Sequence, residues 1–125
     1  MNFKETEKFK VRVVDNAYYI VEVKDDAEFD RDDLLLLVQY EKDICNRQLP
    51  VLVLCAPTAG SSSEFVKYLS KNENNPLSLA DAFVLSSISQ KILAHFYKLF
   101  GSHERPISFF NTQDEAMIWL KQFLK

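Results

Sequence analysis

The sequence predicts an α/β fold: one mixed, mainly parallel sheet of five strands with four helices, in the order β-β-α-β-α-β-α-β-α. Three observations predict it. Residues 8–13 (KFKVRV) alternate charged and apolar side chains, and an Asp15-Asn16-Ala17 turn separates them from the β-branched and aromatic run YYIVEV at 18–23. Residues 51–54 (VLVL) and 81–86 (DAFVLS) are short continuous apolar runs, the pattern of strands covered on both faces. Between and after them lie four segments with apolar residues at helical spacing, three of them opened by a capping residue.

The elements follow in order. Phe9, Val11 and Val13 face inward on the first strand, and Lys8, Lys10 and Arg12 face water. Asp15 and Asn16 tolerate left-handed backbone and so suit the hairpin turn. In KDDAEFDRDDLLLLVQYEKDICNRQLP, Asp30 caps a helix whose first turn carries Asp32 and Asp33, complementing the dipole. Its inner face is Leu34, Leu37, Val38, Ile44 and Cys45; Arg47 falls in the last turn and Pro50 ends the segment. After residues 51–54, Ser61 and Glu64 have capping-box spacing and open a second helix with Phe65, Val66 and Leu69 inward, stopped by KNENNP. Following the strand at 81–86, Ile88, Ile92, Phe96, Leu99 and Phe100 trace a third helix face that Gly101 terminates. Residues 106–110 (PISFF) form the last strand. Asn111 or Thr112 caps the final helix, with Glu115 three residues past Thr112 and with Ala116, Met117, Leu120, Phe123 and Leu124 as its core side, Trp119 flanking.

A chain of 125 residues with 47% hydrophobic and 26% charged residues is expected to form one domain, residues 1–125, burying roughly two thirds of its unfolded surface. A net charge of −3 with scattered cations argues against a nucleic-acid partner. No apolar run is long enough to span a membrane, and MNFKETEKFK lacks a signal-peptide core, so a cytoplasmic location is expected. Cys45 and Cys55 lack CxxC spacing and read as free buried thiols.

The C-terminal half resembles a family of short uncharacterised bacterial proteins with the SpoIIAA-like fold, the fold of the STAS domain. The pieces that carry the resemblance are residues 80–86 (ADAFVLS), residues 106–110 (PISFF), and Asp114-Glu115-Ala116 with Trp119-Leu120. STAS domains often act as phosphorylatable switches that bind a partner kinase. The resemblance implies a serine at the start of the helix after the third strand, within Asp-Ser-Ser-Gly; here that location holds Gly60-Ser61-Ser62-Ser63-Glu64.

Four chemistries can be weighed from the residues. Ser61, Ser62 and Ser63 at a helix start are a candidate anion or phosphorylation site, against an ordinary cap. Two glycines, Gly60 and Gly101, cannot write a Walker loop or GxGxxG, so no nucleotide cofactor is implied. His95 and His103 lack metal-ligand spacing, and a Ser62–His103–Asp81 triad can be drawn only without a Gly-x-Ser-x-Gly elbow. The acids Asp25, Asp26, Glu28, Asp30, Asp32 and Asp33 lack the EF-hand glycine and closing glutamate and read as a solvated helix start.

Ten Phe, five Tyr and one Trp exceed what the core reading needs. Tyr40, Tyr68, Tyr97 and Phe110 are candidates for an aromatic surface or pocket, with Tyr18 a further surplus ring. The expectation is a non-catalytic protein-interaction or regulatory module, a candidate homodimer with an unidentified protein partner, switched at the serines. The alternative is a binder of a small apolar or lipid-like ligand, and the third is a serine hydrolase. No cofactor and no metal are expected.

Overall fold

The computed structural model describes residues 2–100 and 104–124, the side chains of Phe96, Tyr97, Leu99 and Phe100 excepted. Its strands are β1 (Phe3–Glu5), β2 (Phe9–Val14), β3 (Tyr18–Val23), β4 (Leu49–Cys55), β5 (Ser78–Val84) and β6 (Ile107–Phe110). Its helices are α1 (Arg31–Ile44), α2 (Ser63–Leu69), α3 (Ile88–Phe100) and α4 (Gln113–Leu120). Short 3-10 turns cover Asn72–Asn74 and Lys121–Phe123. The six strands lie side by side in chain order, β1 to β3 antiparallel and β3 to β6 parallel. The architecture is the expected α/β one with four helices, and the sheet has six strands rather than five. The additional strand is β1, which pairs Phe3 to Glu5 with Arg12 to Lys10; three residues are too few to show a period in the sequence.

The hairpin between β2 and β3 is built as its residues dictate. Asp15 and Asn16 take φ values of 54° and 51°, and the Ala17 N–H donates to the Val14 carbonyl at 2.8 Å. Two successive left-handed residues match the twist of the flanking strands.

Strand register sorts side chains onto two faces. Val21, Val53, Phe83 and Phe109 stand side by side on one face. Ile20, Leu52, Ala82 and Ser108 do so on the other. The first face carries the larger core, with Phe9, Val11, Phe29, Leu34, Leu37, Val38 and Phe65. The second packs under α4 through Ala116 and Leu120. β4 is thus interior and covered twice, as its VLVL run requires.

Helix boundaries follow local chemistry. Asp30 caps α1 through a reciprocal box: its carboxylate accepts from the Asp33 N–H at 3.1 Å, and the Asp33 carboxylate accepts from the Asp30 N–H at 2.9 Å. The Thr112 hydroxyl accepts from the Glu115 N–H at 3.2 Å to cap α4. Other placements differ from the sequence reading. α1 ends at Ile44, with Asn46 in the left-handed region at φ 57°. Its last-turn cation is therefore Lys42, while Arg47 lies beyond it and donates to the Asn16 carbonyl. Pro50 sits inside β4, at the register shift between Leu49 and Val51 where a missing N–H is tolerated. On α3, Ile88 and Ile92 are 78% and 54% exposed, whereas Gln90 and Ala94 turn inward. Gly101, expected to stop α3, lies outside the described residues, and so do the side chains of Phe96, Leu99 and Phe100.

Candidate functional site: an apolar cavity with a polar end

A cavity of about 120 Å³ lies between the first sheet face and α1, α2 and α3. The sheet contributes Val21, Val53, Phe83 and Phe109; α1 contributes Leu34 and Leu37, α2 Phe65, Val66 and Leu69, and α3 Leu93 and Ala94. Interiors are packed like organic crystals, with few voids larger than a water molecule, so a space of this size calls for an explanation. Gln90 braces it at the carboxyl ends of the strands. Its amide donates to the carbonyls of Ala56 and Ala59 at 2.7 and 2.8 Å and accepts from the Ser86 N–H at 2.7 Å.

Polar groups gather where Glu41, Asn75 and Asp81 join the lining. Asp81 and Arg105 form an ion pair with both side chains nearly water-free, Nη2 at 2.6 Å and Nε at 3.0 Å from Oδ2. The Ser78 hydroxyl donates to the other Asp81 oxygen. The remaining Arg105 bonds run to the Leu69 carbonyl at 2.9 Å and to Asn72 Oδ1 at 3.2 Å, tying the end of α2 and the turn after it to β5. Removing one partner of such a pair would strand a buried charge.

Glu41 is not paired. It is 1% exposed, and its Oε1 has no hydrogen-bond partner; the Oδ1 of Asn75, 5% exposed, has none either. Burial, and secondarily the Asp81 carboxylate, push the Glu41 carboxyl up to about 8, with Arg105 pulling the other way. At neutral pH it is mostly the uncharged acid, which a water-poor site tolerates better than a carboxylate. Cys55 also lines the cavity, and burial pushes its thiol up to about 11, leaving it protonated and weakly nucleophilic. Burial likewise raises the phenol of Tyr19, whose hydroxyl donates to the Arg47 carbonyl at 2.7 Å.

The residues singled out in the sequence lie as follows. Ser62, not Ser61, is the N-cap of α2: its hydroxyl accepts from the Phe65 N–H at 3.0 Å. The Ser61–Glu64 capping box is therefore replaced by a one-sided cap one residue later. Ser63 is exposed, and Ser61 is half-buried and lines the cavity. The candidate aromatics do not form one surface. Tyr40 packs beside Phe9 at 6.1 Å, and Tyr68 stacks under the Arg31 guanidinium at 4.6 Å, both on the α1–α2 side. Phe110 is on the opposite side, 5.7 Å from Trp119. Neither tyrosine nor Phe110 lines the cavity, whose rings among the described residues are Phe29, Phe65, Phe83 and Phe109; the Tyr97 side chain lies outside the described residues.

Asp81 and Ser62 of the drawn triad are engaged elsewhere, Asp81 by Arg105 and Ser62 by the α2 backbone, while His103 lies outside the described residues. His95 is exposed on α3. Cys45 and Cys55 are free thiols, both half-buried. Asp30 and Asp33 meet Lys8, whose Nζ is 3.0 Å from Asp33, and Asp25 accepts from the Thr58 hydroxyl at 3.1 Å. Among the described residues no group of three or more His, Cys, Asp and Glu is arranged to hold a metal. No helix among them is long and apolar enough to cross a membrane.

Sequence reasoning missed Glu41, Arg105, Gln90 and Asn75. For Glu41 a signal existed: position 41 continues the stripe through Leu34, Leu37 and Val38. An acid on the inner stripe of a helix is a candidate buried carboxyl. Asp81 at the start of an apolar strand likewise demands a partner, but nothing local to Arg105 identifies it.

Comparison with known proteins adds a family and a fold. Residues 14–124 match the family described as a domain of unknown function, DUF7793. A crystal structure of an uncharacterised DUF3478-family protein with a SpoIIAA-like fold, from Shewanella loihica PV-4, is similar to this chain at a TM-score of 0.56 and 11% identity. The match covers 94% of this chain and 97% of that one. At that identity the likeness concerns the fold alone, and the fold here is SpoIIAA-like. No curated protein matches the chain.

Proposed function

The chain belongs to the DUF7793 family, and we propose that it is a non-catalytic binding module that takes a small, mainly apolar molecule into the cavity under α1, α2 and α3. One observation carries the reading: a mainly apolar space of about 120 Å³ is lined by two residues, Glu41 and Asn75, that each hold a buried oxygen without a hydrogen-bond partner. An engineered apolar cavity of about 150 Å³ binds benzene, so the occupant here is a group of roughly six non-hydrogen atoms rather than a whole lipid chain. Support for a non-catalytic role comes from Asp81, held by Arg105 and Ser78, and from the raised Cys55 thiol.

Titrating the methyl-labelled protein with 1-pentanol or toluene and following the NMR spectrum tests this. Resonances of Val21, Val53, Leu34 and Ala94 are expected to shift together, and Ala94→Leu, which fills the space, to suppress the shifts. Shifts confined to exposed methyls, or none at millimolar probe, overturn the reading. Control at the serine triplet enters this proposal through Ser61, which lines the cavity: a phosphate there would place about two negative charges at its wall. Phosphopeptide mapping of protein from its native cells checks it, and an unmodified peptide spanning all three serines removes it.

A protein-contact reading is favoured by a separate observation. Ile88 and Ile92 project from α3 one turn apart and largely exposed. As a homodimer contact they predict concentration-dependent sedimentation that Ile88→Glu with Ile92→Glu abolishes; a single monomeric species at all concentrations ends that reading.

A further inference from the structure

We propose that the polar end of the cavity, Glu41 with Asn75 beside the Asp81–Arg105 pair, seats the ammonium group of a short aliphatic primary amine. The inference rests on the cavity-binding reading and specifies its ligand. The polar end has two buried acceptors without a partner, and once Glu41 gives up its proton its carboxylate is acceptor-only. Glu41 and Asn75 line the cavity, and their Oε1 and Oδ1 atoms are buried with no partner. Arg105, the strongest donor nearby, already gives Nε and Nη2 to Asp81, Nη2 to Leu69 and Nη1 to Asn72. A ligand that brings hydrogen-bond donors would satisfy both oxygens as Glu41 loses its proton. An ammonium brings three, an alcohol one, and a carboxylate or phosphate none.

Charge agrees with the donor count. Asp81 and Arg105 cancel, so ionised Glu41 leaves the cluster at one net negative charge, which a cation neutralises. A carboxylate ligand would instead add a like charge beside Asp81 and Glu41. Apart from Cys55, Ser61 and Gln90, the last with its amide already bonded to Ala56, Ala59 and Ser86, the other walls are aliphatic and aromatic side chains, which fit an alkyl chain. A buried ion pair of this kind is favourable only when its remaining hydrogen bonds are made, and Asn75 supplies one.

Binding is linked to protons. The groups facing Glu41 are Tyr19 on β3, Asp81 on β5 and Arg105 ahead of β6. Free Glu41 holds its proton at neutral pH, so capture of an ammonium releases about one proton. Affinity for the amine should then rise about tenfold per pH unit from about pH 6 to about pH 8 and level off above, until the amine itself loses charge near pH 10.

The experiment compares n-pentylamine, 1-pentanol and pentanoate, three ligands of one chain length, by NMR titration of the lining methyls and by calorimetry in two buffers of different ionisation enthalpy. The expected result at about pH 8 is pentylamine binding tenfold or more tighter than pentanol, with pentanoate weakest. Glu41→Gln should remove that tenfold and the proton release while changing pentanol affinity by less than about threefold. Gln is the isostere of the uncharged acid, so the variant should fold. Pentanol or pentanoate binding as well as the amine, or an amine affinity that Glu41→Gln and pH leave unchanged, overturns the amine assignment while the cavity reading stands. Failure of all three ligands to move the lining methyls overturns both.

Discussion

Replacing Glu41 with Gln should make the protein more stable above neutral pH and nearly unchanged below pH 5. The Glu41 carboxyl is 1% exposed and sits at about 8 in the folded chain, against 4.5 for an unperturbed glutamate. Between those values the folded state holds a proton that the unfolded state has released. Stability therefore falls as pH rises through this window, by up to a tenfold change in the folding constant per pH unit. The contribution is fully retained below about pH 4.5 and lost once pH passes about 8. Summed over the window, ionising Glu41 costs on the order of 5 kcal/mol at most. A chain of this length has a total stability of roughly 6–19 kcal/mol, so the loss is a large fraction of it.

Gln keeps the shape of the neutral acid and removes the titration. Urea unfolding of wild type and variant at several pH values between about 4 and 9 isolates the difference, because the other groups titrate alike in both. Trp119 reports the transition, packed 4.9 Å from Phe123 and 5.7 Å from Phe110 on the far side of the sheet. The two proteins are expected within about 1 kcal/mol at pH 5, and the variant several kcal/mol more stable at pH 9. A difference that does not change with pH, or a variant less stable at pH 9, would refute the assignment of a neutral buried acid.

Three further outcomes follow from the geometry. Arg105→Met should cost about 3–5 kcal/mol in urea unfolding, since Asp81 is left buried with only the Ser78 hydroxyl, whereas Lys24→Met, which breaks the exposed 2.6 Å pair with Glu5, should change little. Ser62→Ala should lower stability by about 1 kcal/mol and Ser61→Ala and Ser63→Ala by much less, because Ser62 alone of the three caps α2; thermal melts of the three variants decide it. Gly60→Ala should be neutral or stabilising by up to about 1 kcal/mol, because its Cβ would meet Glu28 Oε2 at an ordinary 3.4 Å; a melt lowered by several degrees would contradict that.

Much of the frame was readable because its signals are local. Asp15 and Asn16 adopt the left-handed turn their side chains favour, Asp30 and Thr112 cap where they were expected, and the VLVL run of β4 is covered on both faces. The errors have physical sources. A cap bond ends on a backbone N–H, which every residue but proline carries, so Ser61 and Ser62 could not be ranked by what stands three residues on. Apolar content alone set the phase of α3, and Gln90, buried because all its bonds are satisfied inside, turned Ile88 and Ile92 outward. The polar end of the cavity was illegible for a stronger reason. Glu41, Asn75, Asp81 and Arg105 come from four separate parts of the chain, and only the parallel strand order brings them together.

Gly60 joins two segments that are far apart in sequence. Its carbonyl accepts from the Phe29 N–H at 2.9 Å and its N–H donates to the Ala27 carbonyl at 2.9 Å, while Thr58 accepts from the Asp26 N–H at 2.7 Å. The approach to α1 and the approach to α2 are thus stitched into a single seam. Neither can peel away alone: amide exchange at Phe29 and at Gly60 should proceed in step, and an insertion on one side of the seam should loosen the other.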